Sequence, residues 1–144
     1  MLKLCIVNSG NMTGIEEDDE IDSSASDKAL FEYLRNNNVN VHDIIDEREQ
    51  RRKRFFRFNS NTKRELAVLE TSDPSKIRLY AKGASELIIR NCTNVFNEQS
   101  EDPMTEQMKS FLIDEVCQNT YKRKGMKSVA FAYRDIPLQE YLEI

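Results

Sequence analysis

Ile77-Arg78-Leu79-Tyr80-Ala81-Lys82-Gly83-Ala84-Ser85-Glu86-Leu87-Ile88-Ile89-Arg90 changes its pattern part-way along. Up to Lys82 apolar and polar residues alternate, as in a strand with one buried face. Gly83 interrupts the alternation, and a helical stretch starts immediately after it. A strand that hands over to a helix through a residue without a side chain lets a ligand approach the backbone. Lys82 supplies a cation beside that point, and the helix start offers unpaired N–H groups to an anionic or polar partner. Ordinary turns also contain lysine-glycine pairs, so the pattern alone fixes the local fold and not a function.

Working upstream, Thr71-Ser72-Asp73-Pro74-Ser75 is turn chemistry, and residues 66–70 before it read as a second strand. The two strands are expected to form an antiparallel hairpin, preceded by a further strand over 55–58. Downstream, Met108, Phe111, Leu112, Glu115 and Val116 continue the pattern of a long helix that opens after Pro103-Met104-Thr105 and runs towards Tyr121. Lys122, Arg123 and Lys124 complement the dipole at its end, Gly125 suits the position just past it, and residues 128–133 read as a closing strand. Near the amino terminus, residues 8–25, with Gly10, Gly14, acids and serines, read as an exposed loop. Ser24-Ala25-Ser26-Asp27 then caps a helix of about three turns that ends at Asn36-Asn37-Asn38, and a short strand is expected around Val39. Helices mixed with adjacent antiparallel strands, without regular alternation, make the class α+β.

The 144 residues suffice for one core, so residues 1–144 are read as a single domain. No apolar run approaches the ~18 residues a membrane-spanning helix needs. Met1 to Val7 lacks the cationic region and cleavage site of a signal peptide. Cys5, Cys92 and Cys117 stand far apart with no paired spacing, which argues against a zinc site or a disulfide framework and fits a reducing compartment. The single His42 has no partner for a triad. Charge is uneven around a net −4: residues 16–22 are acidic, while 48–58 combine Arg51-Arg52-Lys53-Arg54 with Phe55, Phe56 and Phe58. Such a basic, aromatic segment is one route to nucleic acid, although the acidic overall balance weakens it. No phosphate-binding Gly-x-x-x-x-Gly-Lys-(Ser/Thr) loop, nucleophile elbow or metal cluster is present, so the chain carries no catalytic constellation of its own.

Lys82-Gly83-Ala84-Ser85-Glu86, directly after a strand, resembles the Lys-Gly-Ala-(Ser/Pro)-Glu signature of P-type ATPase nucleotide-binding (N) domains. Four further blocks agree in order. Ser26-Asp27-Lys28-Ala29-Leu30 is similar to the family's Thr-Glu-x-Ala-Leu helix start. Phe58-Asn59-Ser60, followed by Lys63 and Arg64, resembles its Phe-Asn-Ser-x-x-Lys strand, and Pro103-Met104-Thr105 its opening of the long helix. Gly125 to Asp135 is similar to the strand ending in Ala-Tyr-Arg-Asp. The blocks extend over about three-quarters of the chain.

The resemblance implies an antiparallel sheet of about six strands flanked by helices, on the cytosolic face of a membrane. It also implies an ATP site made of Asp27, Phe58, Lys63, Lys82, Gly83, Ala84 and Lys127. In the family, adenine stacks on the phenylalanine matching Phe58, and the lysine matching Lys82 lines the same cavity. The lysine matching Lys63 forms a cationic wall, a glutamate matching Asp27 meets the adenine amino group, and an arginine matching Lys127 lies near the phosphates. Asp27 is shorter by a methylene than the family residue, Lys127 lacks an arginine's bidentate fork, and Glu65-Leu66-Ala67 replaces the usual Met-Ser. The Asp-Lys-Thr-Gly-Thr phosphorylation motif is absent. The expectation is therefore a monomeric fragment of a pump that binds ATP without hydrolysing it. It would present ATP to phosphorylation and actuator domains, with Mg²⁺ at the phosphates in the full pump. The transported ion is expected to be calcium, with a lipid flippase as the alternative within the family and a nucleic-acid module outside it.

Overall fold

The computed structural model describes residues 1–10, 25–97 and 99–143. Its centre is an antiparallel four-stranded sheet in the order β1 (Arg52–Asn59), β2 (Arg64–Glu70), β3 (Lys76–Ala84), β6 (Val129–Pro137). The alternation in β3 sends Arg78, Tyr80 and Lys82 to one face and Ile77, Leu79 and Ala81 to the other. The first face is covered by α1 (Leu2–Ser9), α2 (Ala25–Asn36) and α3 (Val41–Arg51). There Cys5 packs with Ala67, Leu69 and Tyr80, while Ile6, Val7, Phe31, Leu34, Val41 and Ile45 form the core between the helices. Each Val, Ile, Leu and Phe side chain among these contributes ~1.5–3 kcal/mol on burial. On the opposite face Val68, Ile77 and Ile136 are covered by Leu138 and Tyr141 of α6 (Leu138–Leu142).

The hairpin expected at 71–75 is present, with Glu70 paired to Ile77 and the register unbroken to Arg64 and Gly83. Thr71 and Asp73 close the turn through their side chains. The helix after Gly83 is α4 (Ser85–Asn91). Six strands occur among the described residues, but β4 (Asn94–Phe96) and β5 (Glu101–Pro103) form a separate ribbon. These three-residue strands are too short to leave an alternating pattern in the sequence.

Three expectations require correction. Val39 belongs to no strand: it links α2 to α3 and packs against the core between the helices, with Asn38 in the left-handed region at φ 57°. The stretch after it is helical because Val41, Ile44, Ile45 and Arg48 recur on one side and face inward. The loop expected over 8–25 starts too early: Asn8 and Ser9 are buried in the last turn of α1, and residues 11–24 lie outside the described residues. The long helix begins as α5 (Glu106–Phe111), with Thr105 capping Met108 N–H at 3.2 Å, but continues as a π-helix over Leu112–Tyr121. Its wider winding is accompanied by the Thr120 hydroxyl donating to the Glu115 carbonyl five residues back at 2.8 Å. Gly125, at φ 69°, ends this segment as the left-handed residue anticipated there.

The basic run is engaged within the fold. Arg48 is buried and donates to the carbonyls of Val7 and Gly10 at 3.0 and 3.2 Å, satisfying the end of α1. Arg51 pairs with Glu47, Arg52 with Glu49, and Lys53 with Glu70.

Candidate functional site

One end of the sheet gathers most of the residues singled out from sequence. Antiparallel register places Glu65, Lys82 and Phe131 in a row across β2, β3 and β6, all on the face beneath the helices. Asp27, in the first turn of α2, descends onto this row, and its Oδ1 accepts a hydrogen bond from Lys82 Nζ. Glu65 Oε2 lies 2.8 Å from the same Nζ on another side. Lys82 and Asp27 are only 7% and 6% exposed, so this is a buried cation held by two carboxylates. Burial works against the Lys82 ammonium, yet the hydrogen bonds and charges of Asp27 and Glu65 outweigh it and hold its pKa above the ordinary lysine value. Asp27 also complements the positive end of the α2 dipole.

Gly83, the next residue, is required by close approach. A Cβ there would stand 2.4 Å from the Lys63 carbonyl oxygen and 2.9 Å from Arg64 Cβ. That same carbonyl accepts from Ala84 N–H at 3.1 Å, which ties the β1–β2 turn to the start of α4. The turn is built by Asn59: its side chain accepts from Asn61 N–H at 2.8 Å and its carbonyl from Lys63 N–H at 2.6 Å. Lys63 consequently sits in the left-handed region at φ 49° with its side chain exposed.

Phe58 is at the end of β1 beside this turn, 57% exposed. It is therefore not a core residue. Lys127 is exposed and stands two residues before Val129, which pairs with Ala84. The fold thus joins Asp27 directly to Lys82 and Lys63 to Gly83 and Ala84, and it brings Phe58 and Lys127 to the same end of the sheet but on its two opposite edges, with β2 and β3 between them. Sequence reasoning missed Glu65. The signal was available in the hairpin: counting pairs inward from Glu70 and Ile77 brings Glu65 opposite Lys82. The cavity of about 170 Å³ lined by Arg48, Arg51, Ser72 and Arg78 lies at the other end, by the β2–β3 turn. Among the described residues no group of His, Cys, Asp and Glu is placed to hold a metal ion.

The sequence matches the family described as P-type ATPase, cytoplasmic domain N, over residues 1–143. The chain belongs to that family. Similar proteins include the sodium/potassium-transporting ATPase subunit alpha-3 of Gallus gallus, 29% identical over 127 residues, which are 85% of this chain and 12% of that protein. Plasma membrane calcium-transporting ATPase 1 of Gallus gallus is 26% identical over 113 residues, 78% of this chain and 9% of that protein. Calcium-transporting ATPase 2, plasma membrane-type, of Arabidopsis thaliana is 32% identical over 80 residues, 55% of this chain and 8% of that protein. The chain therefore spans only about a tenth of the length of these relatives. No helix among the described residues is long and apolar enough to cross a membrane. For an N domain, the α+β architecture and the strand–glycine–helix junction are as the motifs implied, whereas the second carboxylate on Lys82 departs from them.

Proposed function

We propose that this N domain binds ATP at the β3–α4 junction and positions it for phosphoryl transfer to an aspartate on a separate domain of a cation-transporting pump. The observation that carries this reading is the meeting of three sequence blocks, 26–30, 58–64 and 82–86, through the Asp27–Lys82 ion pair and the Ala84–Lys63 backbone bond. An exposed Phe58 ring offers a flat face to adenine, and such stacking contributes ~1–3 kcal/mol. The exposed ammonium groups of Lys63 and Lys127 suit the phosphates, and Lys82 anchors the floor from below. The contribution of the domain is positioning and charge stabilisation, with Mg²⁺ acting at the phosphates in the full pump. Calcium is the cargo favoured by the likeness of Lys82-Gly83-Ala84-Ser85-Glu86 and Phe131-Ala132-Tyr133-Arg134-Asp135 to plasma-membrane calcium pumps.

The test is an ATP titration followed by amide chemical shifts. Saturable shifts at Phe58, Lys63 and Gly83, with a dissociation constant on the order of 1 mM, support the reading. Shifts confined to residues 48–54, produced by oligonucleotide and suppressed by salt, would replace it with nucleic-acid binding.

A further inference from the structure

The β1–β2 turn carries a hydroxyl that ATP binding leaves unused. Ser60 is exposed directly after the exposed run Arg57-Phe58-Asn59, and among the described residues its side chain has no hydrogen-bond partner. Thr62, two positions on, turns its hydroxyl back to the Asn59 carbonyl at 3.4 Å. Among the described residues β1 has a strand on one side only, so the chain leading into Ser60 is an extended edge that another molecule can follow. A cation three residues ahead of a hydroxyl is what an arginine-directed serine/threonine kinase holds with its own carboxylates. Three described hydroxyls have one: Ser60 after Arg57, Ser85 after Lys82, and Thr93 after Arg90. Ser85 is 4% exposed and Lys82 is buried with it. Arg90 is in the last turn of α4, so it shares no extended segment with Thr93. Of the three, only Ser60 has acceptor and cation exposed along one strand, with Lys53 and Arg54 exposed further upstream.

We propose that Ser60 is a phosphorylation site for an arginine-directed kinase and, resting on the ATP reading above, that its phosphorylation weakens nucleotide binding. In that step Ser60 Oγ bonds to the γ-phosphorus of the kinase's own ATP. The bond from that phosphorus to the β-phosphate oxygen breaks, ADP leaves, and the hydroxyl proton passes to the kinase's catalytic carboxylate. The new group carries about −1.5 to −2 charges at neutral pH. It stands in the turn that Lys63 N–H closes onto the Asn59 carbonyl at 2.6 Å, two positions past the Phe58 ring. The exposed Lys63 ammonium and Arg64 guanidinium become its counter-ions, and it repels the polyphosphate for which Lys63 is proposed.

The experiment treats the full 144-residue chain, Ser60→Ala and Arg57→Ala with ATP, Mg²⁺ and the purified catalytic domain of a kinase that requires arginine three residues before its acceptor. Mass spectrometry locates any phosphoryl group, and the product, freed of kinase, is titrated with ATP by chemical shift. The chain should take one phosphoryl group, on Ser60. Ser60→Ala should take none and Arg57→Ala should react far more slowly. Unmodified Ser60→Ala should bind ATP within about twofold of the wild type, whereas the phosphorylated chain should bind it at least about threefold more weakly. That difference should shrink in high salt. No incorporation, incorporation at Thr93 instead, or an undiminished rate in Arg57→Ala overturns the site. A chain phosphorylated on Ser60 that binds ATP as tightly as before overturns the regulatory effect and leaves the ATP site standing. Absence of ATP shifts at Phe58 and Gly83 in the unmodified chain sinks the ATP reading and the regulatory effect together, while the phosphoryl count still decides the acceptor.

Discussion

Lys82 on β3 and Asp27 on α2, separated by 55 positions in the sequence, form a buried ion pair that fastens the helical layer to the sheet. Taking a charge out of water is expensive, and a buried pair is held in place largely because either partner left alone would be worse. Glu65 changes that arithmetic, since the cation keeps one carboxylate when the other is removed.

Asp27→Asn and Glu65→Gln should each cost about 1–1.5 kcal/mol of stability, because Lys82 keeps its other carboxylate. The double variant strands the ammonium and should cost more than the two single losses together, approaching the ~3–5 kcal/mol of an unpaired buried charge. Urea unfolding of the four proteins checks this, and additive losses would mean that Lys82 is solvated once its partners are gone. The pH dependence follows from the raised pKa of Lys82. The contribution of the pair is complete below the unfolded-state value near pH ~10 and is lost as pH rises through the folded value.

The sequence was most legible where one local rule governed. The period change at Gly83, the turn at 71–75 and the left-handed Gly125 each depend on a few adjacent residues, and each lies where expected. What was hidden depended on distant partners. Helix α3 looked polar because Arg48, a charged residue, occupies a buried position whose cost is met by carbonyls of α1 some forty residues away. The π-helical winding at Leu112–Tyr121 keeps the spacing of an amphipathic helix, with Ile113 and Cys117 inward, so periodicity alone could not distinguish it. Glu65 became visible only through strand register.

Lys63 holds a left-handed conformation at φ 49°, unfavourable for a residue with a Cβ. Lys63→Gly should raise stability by up to about 1 kcal/mol, whereas Lys63→Ala keeps the strain and should change it by less than about 0.5 kcal/mol. Both remove the ammonium proposed for the phosphates and should weaken ATP binding to a similar extent. Thermal melts and ATP titrations of the two variants separate the effects, and undiminished binding in both would take Lys63 out of the site.

Arg78 donates through Nε and Nη2 to both oxygens of Asp135, at 2.6 and 2.7 Å, and its guanidinium lies 4.7 Å from the Tyr133 ring centroid. The Arg78 hydrogen bonds hold the Asp135 carboxyl below its usual value. A depressed carboxyl stabilises the fold above the unfolded value near pH ~4 and loses that contribution as pH falls through the folded value. The pair is partly exposed, so Asp135→Asn should cost less than about 1 kcal/mol at neutral pH. The gap between variant and wild type should close as the pH approaches 2. A gap that persists in acid would assign the loss to packing.

Phe58 offers the sharpest separation of stability from binding. A core phenylalanine truncated to alanine loses ~3–5 kcal/mol, because the cavity it leaves is only partly refilled. Phe58 is 57% exposed, so little apolar surface is returned to water when it is removed, and the cost should stay within about 1 kcal/mol. An adenine stack contributes ~1–3 kcal/mol, a large share of the roughly 4 kcal/mol that a millimolar ligand commands. Loss of 2 kcal/mol would raise a dissociation constant on the order of 1 mM about thirtyfold. Phe58→Ala should therefore melt close to the wild-type temperature while its ATP shifts vanish at practical concentrations. Lys82→Ala should behave differently, because it deletes the cation between Asp27 and Glu65 and must destabilise the sheet–helix contact as well as the site. If Phe58→Ala keeps its ATP shifts with the fold intact, the exposed ring is not the adenine platform.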